Sequence, residues 1–117
     1  MMIKTAKTVY DKPESSDGKR ILVMRLWPRG VARDKVDVWL KELGTEKELI
    51  KRWKSGKISW KEFERDYKKS LNGKEELLKL IAAEAKKRTV TLLCVEKDEA
   101  HCQRSLLRLA IESHIRE

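Results

Sequence analysis

The segment from Thr89 to Arg104 reads TVTLLCVEKDEAHCQR. It opens as a β-branched and apolar run of strand length, which closes on Cys94 and Glu96. A helix follows, and its first turns carry a histidine, a second cysteine and an arginine. In open α/β folds, ligands bind beyond the carboxyl ends of strands, where helix N-termini also gather. We therefore expect the functional site at this junction between strand and helix.

Two earlier segments also have strand patterns. Ile3–Tyr10 alternates loosely, and Arg20–Met24 is a continuous apolar run of the kind that is covered on both faces. Trp27-Pro28-Arg29-Gly30 ends the second run, because proline cannot donate to a β-ladder. If this strand and the one at 89–95 are parallel, their carboxyl ends share one edge of the sheet. Arg25 and Cys94 would then face the same crevice.

Five helices are predicted from apolar spacing and from capping signals. The architecture that follows is a single α/β domain over residues 1–117, with a short sheet of about three strands, the second and third parallel, and about five helices. The first predicted helix covers 36–43 and ends before Gly44. The second runs from a capping box at Thr45 to about Lys54, and the third from a second capping box at Ser59 to Asn72. The fourth carries the apolar stripe Leu77, Leu78, Ile81 and Ala85, and the fifth runs from an Asp98 N-cap to about His114.

The composition indicates a globular protein with a heavily charged exterior. The 117 residues include 40% apolar and 40% charged residues and carry a net charge of +9. One Asn and one Gln beside abundant Lys and Glu are typical of a thermophilic source. No signal sequence or membrane span is evident, and two cysteines do not make a secreted disulfide framework, so we expect a cytoplasmic protein.

Cys94 and Glu96 are the candidate catalytic residues. A thiol near a helix N-terminus, with Arg25 or Arg104 in reach, would have a lowered pKa and act as a nucleophile, whereas its place at the end of an apolar run equally fits a core position. Glu96 would transfer protons or pair with Arg25; alternatively, it balances the helix N-terminus. Cys102 falls on the core-facing arc of its helix, with Leu106, Leu109 and Ala110, and is expected to be a buried small apolar residue.

The sequence predicts neither a metal site nor another cofactor. Cys94, His101 and Cys102 offer only three ligands, adjacent residues point to different helix faces, and no CxxC occurs. A Cys94–Cys102 disulfide is a minor alternative for a thermophile's cytosol.

The segment after the second strand is the other dense constellation. The predicted ligand-binding residues are Arg25, Trp27, Arg29 and Gly30 here, joined by His101 and Arg104 at the junction. Arginine forks bind carboxylates and phosphates, tryptophan offers a stacking face, and Gly30 lets backbone approach a ligand. We therefore expect a pocket for an anionic small molecule, a nucleotide or another phosphorylated metabolite. The alternative is a structural Arg25–carboxylate pair beneath a packed tryptophan.

A second partner class is nucleic acid. The region Lys47–Lys69 is strongly basic and carries Trp53, Trp60, Phe63 and Tyr67 among its lysines. Such a region can bind nucleic acid weakly and without sequence preference. The helical spacing of the aromatics favours a solvated lysine face above a buried aromatic stripe.

Three segments together resemble the YeaO-like family, domain of unknown function 488. They are RILVMRLWPRG at 20–30, DVWLKEL at 37–43 and TVTLLCVEKD at 89–98. Some similar sequences end in C-x-E followed by H-C-H-R, whereas others lack the cysteines. Cys94, Glu96, His101, Cys102 and Arg104 match that pattern, and Gln103 stands where it has histidine. The resemblance supports the fold and the place of the site, but it supplies no reaction.

Overall fold

The structure, a computed structural model, describes residues 2–115. Four short parallel strands form one sheet, in the order β1-β4-β2-β3. The pairing of β2 with β4 sets Leu22 opposite Leu93. The predicted α/β class and the predicted parallel pair are therefore both confirmed. The strands are β1 (Ile3–Lys4), β2 (Lys19–Leu22), β3 (Val38–Trp39) and β4 (Val90–Leu93).

Four α-helices supply the main core. Ile21, Val90 and Leu92 point to the core that the helices share with the sheet, whereas Leu22 and Leu93 belong to a second apolar cluster with Val9 and Val31. Both sheet faces are thus covered, which explains why the central strands are apolar along their whole length. The helices are α1 (Lys47–Lys54), α2 (Trp60–Ser70), α3 (Glu75–Lys87) and α4 (Gln103–Ile115).

The predicted helix at 36–43 is wrong. Val38–Trp39 forms the edge strand β3 and a short 3-10 turn, Lys41–Leu43, follows it. The backbone N–H groups of Asp37 and Leu40 donate to carbonyls of β2, at 2.9 Å in both cases. In so short a segment, the spacing of apolar residues does not distinguish a helix from an edge strand. The two backbone hydrogen bonds to β2 show that this segment is a strand. The fold consequently has four strands and four α-helices within residues 2–115.

Three smaller predictions also need correction. The first strand is shorter than predicted, because only Ile3–Lys4 pairs with β4. Thr45 does not cap α1; Glu46 occupies the N-cap position and no side chain makes the capping hydrogen bond. Leu109 is 54% exposed instead of facing the core, because the buried stripe of α4 runs through Leu106, Leu107 and Ile111.

The capping box at Ser59 is confirmed. Its hydroxyl accepts a hydrogen bond from the Glu62 N–H at 3.2 Å, and the Glu62 carboxylate accepts one from the Ser59 N–H at 3.1 Å. Asp98 also acts as an N-cap, although it caps the 3-10 turn Glu99–His101 that precedes α4. No helix within residues 2–115 has both the length and the apolar character needed to cross a membrane.

Candidate functional site

A cavity of about 710 Å³ lies beyond the carboxyl ends of β2 and β4. Both Arg25 and Cys94 line it, which confirms the prediction that these residues reach one crevice. We call it the thiol cavity. Its apolar lining comes from Met24, Leu26, Ile50, Trp53, Phe63 and Val95; its thiols and uncharged polar groups are Cys94, Cys102, Gln103 and Thr45; and its ionisable residues are Arg25, Lys47, Lys51, Lys54, Glu96 and His101.

Two cysteines and one glutamine form the buried part of this cavity. Cys94 and Cys102 are both free thiols, 7% and 4% exposed. Their Sγ atoms lie 3.8 Å and 3.1 Å, respectively, from the same Oε1 atom of Gln103. The Gln103 amide is fixed in turn, because its Nε2 donates to the Val23 carbonyl at 2.7 Å. The burial predicted for Cys102 is confirmed.

The two thiols have opposite acidities. A hydrogen bond from the Cys102 side chain is the main cause that lowers the pKa of Cys94 from 9.0 to about 6. Burial opposes this shift, whereas the backbone N–H groups of Glu96 and Val95 and the charge of Arg104 add to it. The same hydrogen bond, together with burial, raises the pKa of Cys102. Cys94 is therefore buried and also ionisable near neutral pH, so the two interpretations of this residue do not exclude each other.

Glu96 pairs with a lysine rather than with Arg25. Its carboxylate lies 2.9 Å from Lys54 Nζ and also accepts the Asp98 N–H at 3.1 Å. The bond from Lys54 is the main cause that holds the pKa of Glu96 below its usual range. Such a carboxylate is a weak base. The predicted Glu96–Arg25 pair is wrong, because Arg25 pairs with Glu46 instead, with 3.8 Å between Arg25 Nη2 and Glu46 Oε1.

His101 stands at the exposed end of the cavity with a fixed ring orientation. Its Nδ1 lies 2.8 Å from Asp98 Oδ2, which leaves Nε2 for another partner. The ring stacks on Trp53, with 5.9 Å between centroids and 24° between planes, and meets Trp60 edge-on at 5.1 Å. A carboxylate on one ring nitrogen orients the other, as in many acid–base sites.

Arg104 is a buried structural residue. The side chain is fully buried, its Nε donates to the Thr5 carbonyl at 2.6 Å, and its Nη1 donates to the Glu96 carbonyl at 2.7 Å. It thus joins the chain after β1 to the chain after β4. The prediction that it lines the pocket beside Arg25 is wrong, because it is not among the described residues around the cavity. It reaches Cys94 only through its charge.

Trp27, Arg29 and Gly30 lie away from the cavity lining. Trp27 donates from Nε1 to the Val31 carbonyl at 2.9 Å and packs edge-on against Trp39 at 5.4 Å, so it fits the packed alternative. Arg29 is exposed, and Gly30 takes a φ of +79° in an open turn with no atom near an added Cβ. The prediction that Arg29 lines the same pocket is therefore also wrong.

The cavity residues that sequence reasoning missed lie mainly on α1 and just before it. Lys47, Ile50, Lys51 and Trp53 line the cavity from one helix, and Thr45 precedes it with a buried Oγ1 that has no hydrogen-bond partner among the described residues. Glycine is needed at position 44 for the chain to pass this close to Arg25, because a Cβ on residue 44 would lie only 2.4 Å from the backbone nitrogen of Arg25. In the sequence, the available signal for these cavity residues was a glycine just before a charged amphipathic helix. The contact of this glycine with Arg25 is tertiary and therefore could not be predicted from local sequence.

The basic region presents lysines outward and aromatics inward. Phe63 and Tyr67 are core residues, and Trp53 and Trp60 pack against that core. Lys57 and Lys61 are exposed and do not line the thiol cavity. Separately, no group of three or more His, Cys, Asp or Glu side chains within residues 2–115 is arranged to hold a metal ion.

Comparison with known proteins agrees with the sequence resemblance. A family profile described as "Active DUF488-N3 subclade" matches residues 3–115. The chain is 40% identical over 94 residues to the uncharacterized protein YeaO of Escherichia coli (strain K12), covering 79% of this chain and 82% of YeaO. It is 32% identical over 74 residues to the uncharacterized protein Rv3073c of Mycobacterium tuberculosis (strain ATCC 25618 / H37Rv), covering 62% and 63%. No solved structure matches the chain significantly. This chain belongs to the YeaO-like DUF488 family.

Proposed function

We propose that the protein binds a small molecule with an apolar body and an anionic group in the thiol cavity, and that the Cys94 thiolate attacks it. The observation that carries this proposal is the position of Cys94, an ionisable thiol inside an apolar cavity with a cationic border. Ligand pockets commonly combine an apolar lining with a few placed polar groups and one group of perturbed pKa.

The charges around the cavity support an anionic ligand. Arg25, Lys47, Lys51 and Lys54 line it, and Glu96, the one carboxylate among its described lining residues, is engaged by Lys54. Cationic borders attract and orient phosphates and carboxylates. A nucleotide or another phosphorylated aromatic compound fits this combination, with its apolar part against Trp53 and its anionic group toward the lysines.

Proton transfer falls to His101 more readily than to Glu96. The Cys94 thiol is already ionised near neutral pH, so it needs no base, and the step that needs a proton is the departure of a leaving group. The imidazole is oriented by Asp98 at Nδ1, so its Nε2 can take up a proton and then donate it to the leaving group. Glu96, with its pKa lowered by Lys54, contributes by fixing that lysine at the cavity.

A thermal-shift panel tests ligand class. We expect phenyl phosphate and nucleoside monophosphates to raise the melting temperature, and neutral phenol and adenosine to do so less. A variant with Lys47→Met and Lys51→Met should lose most of the shift, because both residues line the cavity. Lys87→Met, at the exposed end of α3, is the matched control and should keep it. No response to any anion in the panel would contradict the proposal.

The alternative proposal is weak nucleic-acid binding through Lys47–Lys69. It is supported by the exposed lysines of α1 and α2, such as Lys51, Lys57 and Lys61. Outside the thiol cavity, the aromatics of this region pack toward the core, so stacking with bases would not assist binding to the exposed lysines. A cytoplasmic location and a thermophilic source also remain proposals, both resting on composition.

A further inference from the structure

The two thiols of the cavity are arranged as a pair rather than as independent residues. Both Sγ atoms lie within 3.8 Å of Gln103 Oε1, and both cysteines line the cavity. They arrive from different elements: Cys94 follows β4, and Cys102 immediately precedes α4. Both are free thiols.

The pair is also chemically unequal, which is what a two-step thiol reaction requires. One sulfur must be ionised to attack first, and a second must remain protonated beside it until the first has reacted. The pKa of Cys94 is lowered and that of Cys102 is raised, so Cys94 is the thiol that ionises and Cys102 is the one that keeps its proton. Cys102 Sγ lies 3.1 Å and Cys94 Sγ lies 3.8 Å from Gln103 Oε1, so one amide oxygen holds both thiols at the cavity.

We propose that Cys94 and Cys102 form a two-thiol peroxidatic site that reduces organic hydroperoxides. The proposal rests on the proposed function only in taking Cys94 as the nucleophile. The Cys94 thiolate attacks the terminal oxygen of R–O–OH; the O–O bond breaks, an S–O bond forms, and the leaving alkoxide takes a proton to become R–OH. Cys94 is then a sulfenic acid.

The second step converts the sulfenic acid and the second thiol into a disulfide. The Cys102 sulfur attacks Cys94 Sγ, the S–S bond forms, the S–O bond breaks, and hydroxide leaves with the Cys102 proton as water. Overall, two thiols and one hydroperoxide give one disulfide, one alcohol and one water. An external dithiol then reduces the disulfide. An apolar cavity favours an organic hydroperoxide over hydrogen peroxide, because the organic group can be buried.

The test treats reduced protein with one equivalent of cumene hydroperoxide or hydrogen peroxide and follows intact mass and peptide maps. We expect loss of two hydrogen atoms, an intramolecular Cys94–Cys102 link, and a faster reaction with cumene hydroperoxide. Cys102→Ala should stop at a dimedone-reactive sulfenic acid on Cys94, which forms more slowly at neutral pH because the pKa of Cys94 is then higher. Cys94→Ser should form no intramolecular disulfide, and its Cys102 should be oxidised more slowly than Cys94 is in the wild-type protein, because burial still favours the protonated form of the Cys102 thiol.

Several results would overturn the proposal. They are disulfides only between molecules, dimedone labelling of Cys102 in the wild-type protein, and no preference for cumene hydroperoxide over hydrogen peroxide. Circular dichroism of Cys102→Ala and of a second variant, Cys102→Ser, checks that both are folded. The phenyl phosphate shift of Cys102→Ala separates the two proposals, since anion binding can persist when peroxide reduction fails.

Discussion

The low pKa of Cys94, a buried residue, is caused by neighbouring groups of the protein. Burial alone would raise the pKa of a thiol, as it does for Cys102. At Cys94, the Cys102 side chain, two backbone N–H groups and the buried charge of Arg104 outweigh that effect. Arg104 does not line the cavity, but its charge helps to lower the pKa of Cys94. It also donates a hydrogen bond to the carbonyl of Glu96.

The first prediction concerns the pH at which Cys94 reacts. Because its pKa is lowered to about 6, the rate of alkylation by iodoacetamide should rise with pH and reach half its maximum near pH 6. In Cys102→Ala the midpoint should move upward, toward the ordinary value of 9.0, since the main stabilising hydrogen bond is gone. Peptide mass spectrometry after timed alkylation measures the rate. A wild-type midpoint near 9 would contradict the assignment of Cys94 as the thiolate.

At the scale of elements, the two candidate capping boxes show what a local motif can and cannot predict. Thr45 and Ser59 both precede a helix at the expected spacing, but only Ser59 makes reciprocal bonds with the N3 glutamate. At Thr45 the hydroxyl is buried and has no hydrogen-bond partner within residues 2–115. Gly44 packs against the backbone at Arg25, a tertiary contact, and α1 begins after the N-cap Glu46, one residue beyond Thr45.

This contrast gives the second prediction. Ser59→Ala should lower the free energy of unfolding by about 1 kcal/mol, because it removes an N-cap that bonds the Glu62 N–H. Thr45→Val should cost less or stabilise the protein, since it replaces a buried hydroxyl that lacks a partner with a methyl group. Urea denaturation of the two variants beside the wild type measures both changes. A larger loss for Thr45→Val would show that its hydroxyl is satisfied in the folded protein.

The sequence predicted the elements in which local and tertiary preferences agree. The apolar runs at β2 and β4 form the sheet centre, and parallel pairing then brought Arg25 and Cys94 together as expected. The edge strand β3 was missed because two paired residues leave no periodic signal of their own. Gln103 was marked only as a departure from a pattern. Its bonds to Val23 and to the two thiols depend on how α4 packs, which local sequence does not encode.

At the scale of the whole molecule, a net charge of +9 is compatible with two partner classes, and the structure separates the lysines that each class would use. Lys47 and Lys51 line the thiol cavity, whereas Lys57 and Lys61 are exposed and lie outside it. These pairs carry equal charge, so they form a matched comparison. Loss of two charges weakens non-specific nucleic-acid binding wherever the lysines lie on the contact surface.

The third prediction uses this comparison. Lys57→Met with Lys61→Met should leave the thermal shift by phenyl phosphate unchanged, whereas Lys47→Met with Lys51→Met should abolish most of it. Titration of labelled single- and double-stranded oligonucleotides at two salt concentrations measures the competing activity. Tight binding that falls steeply with salt and is lost in the Lys57 and Lys61 variant would favour nucleic acid as the partner.

The position of β4 has a consequence for how the chain is made. β4 lies between β1 and β2, and Ile3 pairs with Val90, so β1 cannot pair until a strand much later in the chain has been synthesised. Until β4 has left the ribosome, Ile21 and Leu22 can pair only with the short edge strand. Non-local parallel pairing forms slowly and leaves apolar edges unpaired meanwhile. The nascent chain is consequently expected to bind general chaperones until β4 emerges, and chains arrested before residue 90 should be protease-sensitive.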